Sequence, residues 1–348
     1  MSPFHPARSK LHAGHGLRRL EAFFARHAGN VAAALRPHEL RYSKMRTVTI
    51  ILAMVVTAGS APAQIGNIVV TSAASFEKGM PWAGSIASVF CTGLKGINGI
   101  VAADRYPLPL ELAGVRVTIG GVRAPLFAVA QLGGDQEINL QVPWEAWYAT
   151  DVTVEQSGEQ AKVLAPYVLH PGEFFRLPDG SGALQHADYT LVSAGNPARA
   201  GEVVLGYLTG LAIDRTIPPA ATGQPAPANP PAVVDQSLPP VAYGASRPRF
   251  QIWVGDPPNQ RVVDPLFLGL APGLVGVYQV NFVVPAGLAV GSQAVRLVPE
   301  CLLQRDVWHP WHLPLRLHLQ YWPSRPDGGA MRPSRAADPA RHRCGLRA

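Results

Sequence analysis

A twelve-residue stretch that occurs twice constrains this chain more than any other feature. Ala83-Gly84-Ser85-Ile86-Ala87-Ser88-Val89-Phe90-Cys91-Thr92-Gly93-Leu94 is followed 117 positions later by Ala200-Gly201-Glu202-Val203-Val204-Leu205-Gly206-Tyr207-Leu208-Thr209-Gly210-Leu211. Both copies open with Ala-Gly, close with Thr-Gly-Leu and run between them through small and β-prone residues to an aromatic. A second ordered pair lies downstream. Pro125-Leu126-Phe127 leads to Ile138-Asn139-Leu140-Gln141-Val142-Pro143, and Pro265-Leu266-Phe267 leads to Val280-Asn281-Phe282-Val283-Val284-Pro285. Two matches in the same order predict a duplicated domain. The offset grows from 117 to 140 between the pairs, so the second copy carries about two dozen extra residues. The Pro-, Ala- and Gly-dominated run 217–240 supplies them. It has too many prolines for a central strand and too few large apolar residues for a core, and reads as an exposed, partly extended insertion.

Between residues 64 and 299 the local period is two rather than 3.6. Val115-Arg116-Val117-Thr118-Ile119 alternates cleanly into Gly120-Gly121, and Val122 begins a return toward Ala130, which is a hairpin pattern. Ile138 to Val142 alternates and stops at Pro143. Asp151 to Gln156, a Ser157-Gly158-Glu159 turn and Ala161 to Val168 make another hairpin. In the second copy, Pro248 to Val254, Val277 to Val284 and Ser292 to Val298 repeat the pattern. Leu313 to Tyr321 alternates and is a candidate closing strand. Short strands punctuated by Gly and Pro predict an all-β fold of two tandem immunoglobulin-like β-sandwich domains, with non-globular N- and C-terminal flanks. The expected boundaries are 64–170 for the first sandwich and 171–299 for the second, with the insertion 217–240.

Charge separates these repeats from the flanks. The formal charge of +7 arises at the two ends. Residues 1–63 hold 9 Lys/Arg against 2 Asp/Glu, residues 64–299 hold 13 against 17, and residues 300–348 hold 8 against 4. A nucleic-acid footprint belongs on the folded domain, and here that part is mildly acidic, so no nucleic-acid partner is expected. Residues 1–44 read as a mispredicted or disordered extension. From Met45, a positive Arg46, the apolar run Ile50 to Val56 and the small residues Ala61-Pro62-Ala63 follow in the order of a secretory signal peptide over 45–63. The run is too short for a stable span, so no further membrane anchor is expected. These features predict a secreted or cell-envelope protein. Residues 300–348, rich in Arg, His, Trp and Pro, read as a divergent or disordered basic tail.

The ordered motifs Ser72–Phe76, Ala83–Leu94, Leu108–Leu110, Gly114–Gly121, Ala124–Phe127 and Ile138–Pro143 resemble the uncharacterised C-terminal domain family of Solibacter-type soil acidobacteria. Gly269 to Asn281 looks like that family's other hallmark. The resemblance covers roughly residues 65–298. It implies an exported setting and no particular activity. The Ala-Gly-Ser-Ile to Thr-Gly-Leu strand is also similar to the IPT/TIG type of immunoglobulin-like domain.

Reactive chemistry is sparse. Only His170 and His186 of the eleven histidines fall inside the repeats, and the three cysteines form no CxxC pair, so no metal centre or cofactor is expected. Asp179-Gly180-Ser181 with Asp188 is too thin for a calcium site. Ser181, His186 and Asp188 lie close in sequence but without a nucleophile-elbow pattern. They define the hydrolase alternative, which requires them to converge. Cys91 reads as a small buried hydrophobe, with Cys301 as a candidate disulfide partner in an oxidising compartment. Trp82, Trp144, Trp147, Tyr148 and Trp253 offer either core packing or a sugar-stacking face. Trp144, Trp147 and Tyr148, just after Pro143, are the candidate ligand-binding residues. The reading is a non-enzymatic structural or adhesion-type protein whose partner is a cell-surface protein or polysaccharide, with a carbohydrate-binding module as the alternative.

Overall fold

A computed structural model describes residues 64–167, 172–177, 179–211, 213, 216–234 and 249–299, and the backbone of a strand at 315–319. The expected signal peptide at 45–63, the extension before it, and most of the basic tail lie outside the described residues. So do Cys301 and residues 235–240 of the insertion. The described residues form β-strands and no helix.

The first block, residues 65–165, builds two antiparallel sheets from nine strands. They are β1 (Gly66–Ser72), β2 (Ile86–Thr92), β3 (Ile100–Ala102), β4 (Val115–Ile119), β5 (Val122–Arg123), β6 (Leu126–Leu132), β7 (Asp135–Gln141), β8 (Asp151–Gln156) and β9 (Glu159–Leu164). One sheet runs β1-β2-β7-β6-β3 and the other β5-β4-β8-β9. Alternation explains how they meet. Val115, Val117 and Ile119 of β4 and Val152 and Val154 of β8 share one core with Ala87, Val89 and Cys91 of β2 and Ile138 and Leu140 of β7. Period two thus directs every second residue into the space between the sheets. The expected return of the β4 hairpin is cut short. Val122 and Arg123 pair with β4, then Ala124-Pro125 carries the chain to the other sheet, where Leu126–Leu132 pairs with β7.

The second block, from Glu173 onward, repeats the order with additions. Its strands are β10 (Glu173–Phe174), β11 (Leu184–His186), β12 (Val203–Thr209), β13 (Thr216–Ile217), β14 (Val233–Val234), β15 (Phe250–Val254), β16 (Arg261–Val263), β17 (Phe267–Leu270), β18 (Tyr278–Val283) and β19 (Gly291–Pro299). The final strand, β20, spans Leu315–Leu319. One sheet runs β10-β12-β18-β17-β14-β13, with β11 also on β12, and the other β16-β15-β19-β20. Their shared core includes Phe250, Ile252, Tyr278, Phe282, Leu208 and Leu297. β20 pairs antiparallel with β19 and falls within the alternating run Leu313 to Tyr321.

The insertion differs from expectation. Its described part is not an exposed appendage: β13 and β14 pair with each other, and β14 adds to β17, extending the sheet. Ala226 and Ala232 are buried in the second core. Small residues let this proline-rich backbone lie flat on the sheet edge. A Cβ on Gly269 would lie 2.4 Å from the Ala232 carbonyl oxygen, which is why that position of β17 tolerates no side chain.

Candidate functional site

A buried set of polar groups converges where the two blocks meet. There the duplicated motifs touch end to end. The start of β2 meets the end of β12. The Ile86 N–H donates to Thr209 Oγ1 at 2.9 Å, and the Gly210 N–H donates to Ser85 Oγ at 3.0 Å. Thr209 Oγ1 in turn donates to the Gly276 carbonyl at 3.0 Å. All three side chains at this seam are buried: Ser85, Ile86 and Thr209 are each no more than 1% exposed. Around them Ala73, Ala74, Ile86 and Phe127 of the first block pack with Phe175, Ala271, Val277 and Tyr207 of the second. Gly276, with φ near +67°, brings its backbone so close to Gly84 and Ile86 that a Cβ would sit 2.9 Å from the Ile86 side chain.

The insertion adds a strap across the seam. The Gly223 N–H donates to Gln141 Oε1 at 2.7 Å, and the Gly223 carbonyl accepts from the Leu108 N–H at 2.9 Å. Thr222 Oγ1 accepts from the Trp144 N–H at 3.0 Å and donates to Glu145 at 2.7 Å. The extra residues of the second copy therefore clasp the first. Sequence reasoning missed this joint because each hydrogen bond that crosses between the blocks pairs residues more than 75 positions apart. The signal was nevertheless present in Ser85, Thr209 and Gly210, the polar ends of the duplicated motif.

The three candidate ligand-binding aromatics divide. Trp144 is half-buried, lies against the Gly84 backbone and packs on the second core, so it belongs to the joint. Trp147 and Tyr148 instead join Trp82 and Tyr167 in a cluster on the first block. Trp82 stacks on Tyr167 at 5.0 Å between ring centroids and meets Trp147 at 5.8 Å. Tyr148 stands edge-on to Trp147 and Tyr167. Only Tyr148 is well exposed, at 50%, and its backbone is left-handed (φ +64°), a conformation costly for a bulky residue. Burial, aided by the neighbouring Tyr148 phenol and opposed by a bond from the Tyr148 backbone, pushes the Tyr167 hydroxyl up to about 12. Trp253 lies apart, on β15.

Ser181, His186 and Asp188 do not converge. Ser181 Oγ donates to Asp179 Oδ1 at 2.5 Å, and Asp188 accepts from the Thr190 hydroxyl at 2.7 Å. His186 is held by its Nδ1 against the Glu202 carboxylate and by its Nε2 against the Asn196 carbonyl at 3.1 Å. Glu202 also accepts the Arg199 N–H at 2.9 Å. No hydrogen bond joins any two of the three candidate residues. Burial pulls the His186 imidazole down, but the Glu202 bond, the Asn196 carbonyl and the charges of Glu202 and Asp188 outweigh it and raise its pKa. With an acceptor on each nitrogen, the ring is built to hold both protons, the wrong state for a general base. No group of three or more His, Cys, Asp and Glu side chains suited to a metal ion occurs among the described residues. Cys91 is a free, buried thiol pushed up to about 12 by desolvation, in keeping with packing rather than reactivity.

No family model matches the chain, and no curated protein matches it.

Proposed function

We propose that this is an exported, non-enzymatic structural or adhesion-type protein built from two tandem immunoglobulin-like sandwiches. The observation that carries the reading is the joint. Two blocks with separate cores are tied by reciprocal hydrogen bonds at the duplicated motif and by a strap, which suits a stiff spacer that holds its outer loops and sheet edges at fixed positions. The resemblance to the Solibacter-type C-terminal domains and the charged, apolar and small-residue order at 45–63 support export. Surface detection on intact cells of the native host, together with attachment assays of a deletion strain, tests it. Protein reachable by external antibody and reduced attachment are expected. Retention in the cytoplasm would refute the reading.

The ring cluster favours carbohydrate binding as a second reading, because Tyr148 is held outward against its backbone preference. Affinity electrophoresis in gels containing xylan, laminarin or soluble starch tests it. The native chain should be retarded in at least one gel and the Tyr148→Ala variant released. Equal mobility of both in every gel counts against it.

A further inference from the structure

The outer face of the first sheet is polar in sequence yet dry in the fold. Ile138 and Leu140 of β7 enter the first core, which puts Glu137, Asn139 and Gln141 on the opposite face. That face is nonetheless covered: Gln136 to Gln141 are all buried. Gln141 sits at the joint, bonded to the strap. Asn139 accepts from Ser88 Oγ at 2.6 Å. Glu137 lies furthest from the joint, opposite Phe90 of β2 and Ala130 of β6, and is 3% exposed. Its Oε2 meets no hydrogen-bond partner among the described residues. Phe76, in the loop after β1, packs its ring on Phe90 at 6.5 Å.

The groups that face Glu137 are neutral: Ser88 and Phe90 from β2, Ala130 from β6 and Asn139 from its own strand. Charged residues nearby in the chain are turned to solvent. Asp135 on β7, Glu77 and Lys78 beside Phe76, and Asp104 and Arg105 after β3 are all exposed. Glu173, across the joint, accepts from Ser75 at 2.6 Å. A buried carboxylate with one oxygen unpaired and no cation beside it is strongly disfavoured.

We propose that Glu137 is a proton-operated latch: its carboxyl is folded in as the neutral acid, and its ionisation loosens the outer face of the first sheet and the Phe76 loop above it. That loop also carries Ser75, whose bond to Glu173 crosses the joint, so the latch couples external acidity to the grip between the blocks. The latch does not depend on what the protein binds. Its direction follows from the burial that raises the Glu137 pKa against the opposing bonds of Ser88 and Asn139. A carboxyl raised in the folded state binds its proton more tightly there than in the unfolded chain. The stabilisation is complete below the ordinary glutamate value of about 4.3 and is lost as pH rises through the folded value.

The test compares the native chain with Glu137→Gln, which keeps the shape and removes the ionisation. Urea midpoints are read at intervals between about pH 5 and about pH 9. His186 titrates in both proteins and cancels in the difference. The native chain should lose stability relative to Glu137→Gln by about tenfold in the unfolding constant for each pH unit between the unfolded and folded values. The protection of the Phe76 and Gly79 amides, bonded to Ser72 and Val70 of β1 and taken relative to their intrinsic exchange rates at each pH, should fall with rising pH in the native chain only. Parallel stability profiles overturn the proposal. Should Glu137→Gln not fold, a carbon-13 titration of the Glu137 carboxyl in the native chain decides: a midpoint at the ordinary glutamate value overturns it, and a raised one supports it.

Discussion

Replacing Thr209 by Val removes one hydroxyl and almost no volume, and isolates what the joint contributes. In the native fold that oxygen accepts the Ile86 N–H and donates to the Gly276 carbonyl, at 2.9 and 3.0 Å, with Thr209 fully buried. Valine satisfies neither group. The loss leaves one backbone donor in the first block and one backbone acceptor in the second without their partner. Each orphaned buried group costs about 1–3 kcal/mol, so the pair predicts a loss of about 2–6 kcal/mol. β-branching and packing are kept, so the cavity contribution that accompanies most core substitutions is small. Urea unfolding followed by tryptophan fluorescence reads the effect. A single native transition should move to lower urea in Thr209→Val, and should split if the two cores then unfold separately. Ser85→Ala, which removes the acceptor of the Gly210 N–H, should couple to Thr209→Val rather than add to it, because the two bonds share one seam. A Thr209→Val midpoint within about 0.5 kcal/mol of the native chain would refute the claim that these bonds hold the blocks together.

Three further outcomes follow from the same geometry. Tyr278 is fully buried in the second core with no partner at its hydroxyl among the described residues, so Tyr278→Phe should leave stability unchanged or raise it by about 1 kcal/mol in thermal melts. Gly84→Ala should cost about 2–4 kcal/mol, since a Cβ there would fall 2.4 Å from the Trp144 ring and the backbone is left-handed (φ +81°). His186 carries a raised pKa, so its pairing with Glu202 stabilises the fold below the unfolded histidine value of about 6.5 and fades as pH rises through the folded value. His186→Ala should therefore be most destabilising at acidic pH and approach the native chain in alkali, a convergence that differential scanning fluorimetry across pH would show.

Much of the fold was legible because strands declare themselves locally. The alternation in Val115 to Ile119 sends every second residue to the core, and β4 follows it residue for residue. The alternating run from Leu313 to Tyr321 likewise yields β20. What the sequence hid was the destination of each segment. Ala124-Pro125 marks a change of sheet, which a hairpin pattern alone does not distinguish from a turn. The insertion looked solvent-bound because it lacks large apolar residues, yet its small side chains are what allow β14 to lie against Gly269 and Gly223 to reach Leu108 and Pro125. The aromatic candidates divide for the same reason. Trp144, Trp147 and Tyr148 are neighbours in sequence, but a tight turn sends Trp144 to the joint and the other two toward Trp82 and Tyr167. Glu137 stands two residues from the exposed Asp135, in a polar run of the kind that favours solvent. Its burial comes from packing over the outer face of the sheet, which no local pattern encodes.

The account turns on the two blocks behaving as one stiff body. Residual dipolar couplings of backbone amides in residues 64–299, measured in a dilute aligned medium, test this directly. One alignment tensor should fit the couplings of both blocks, and Thr209→Val should need two. Two tensors of different magnitude in the native chain would contradict the account and leave the joint without its structural role.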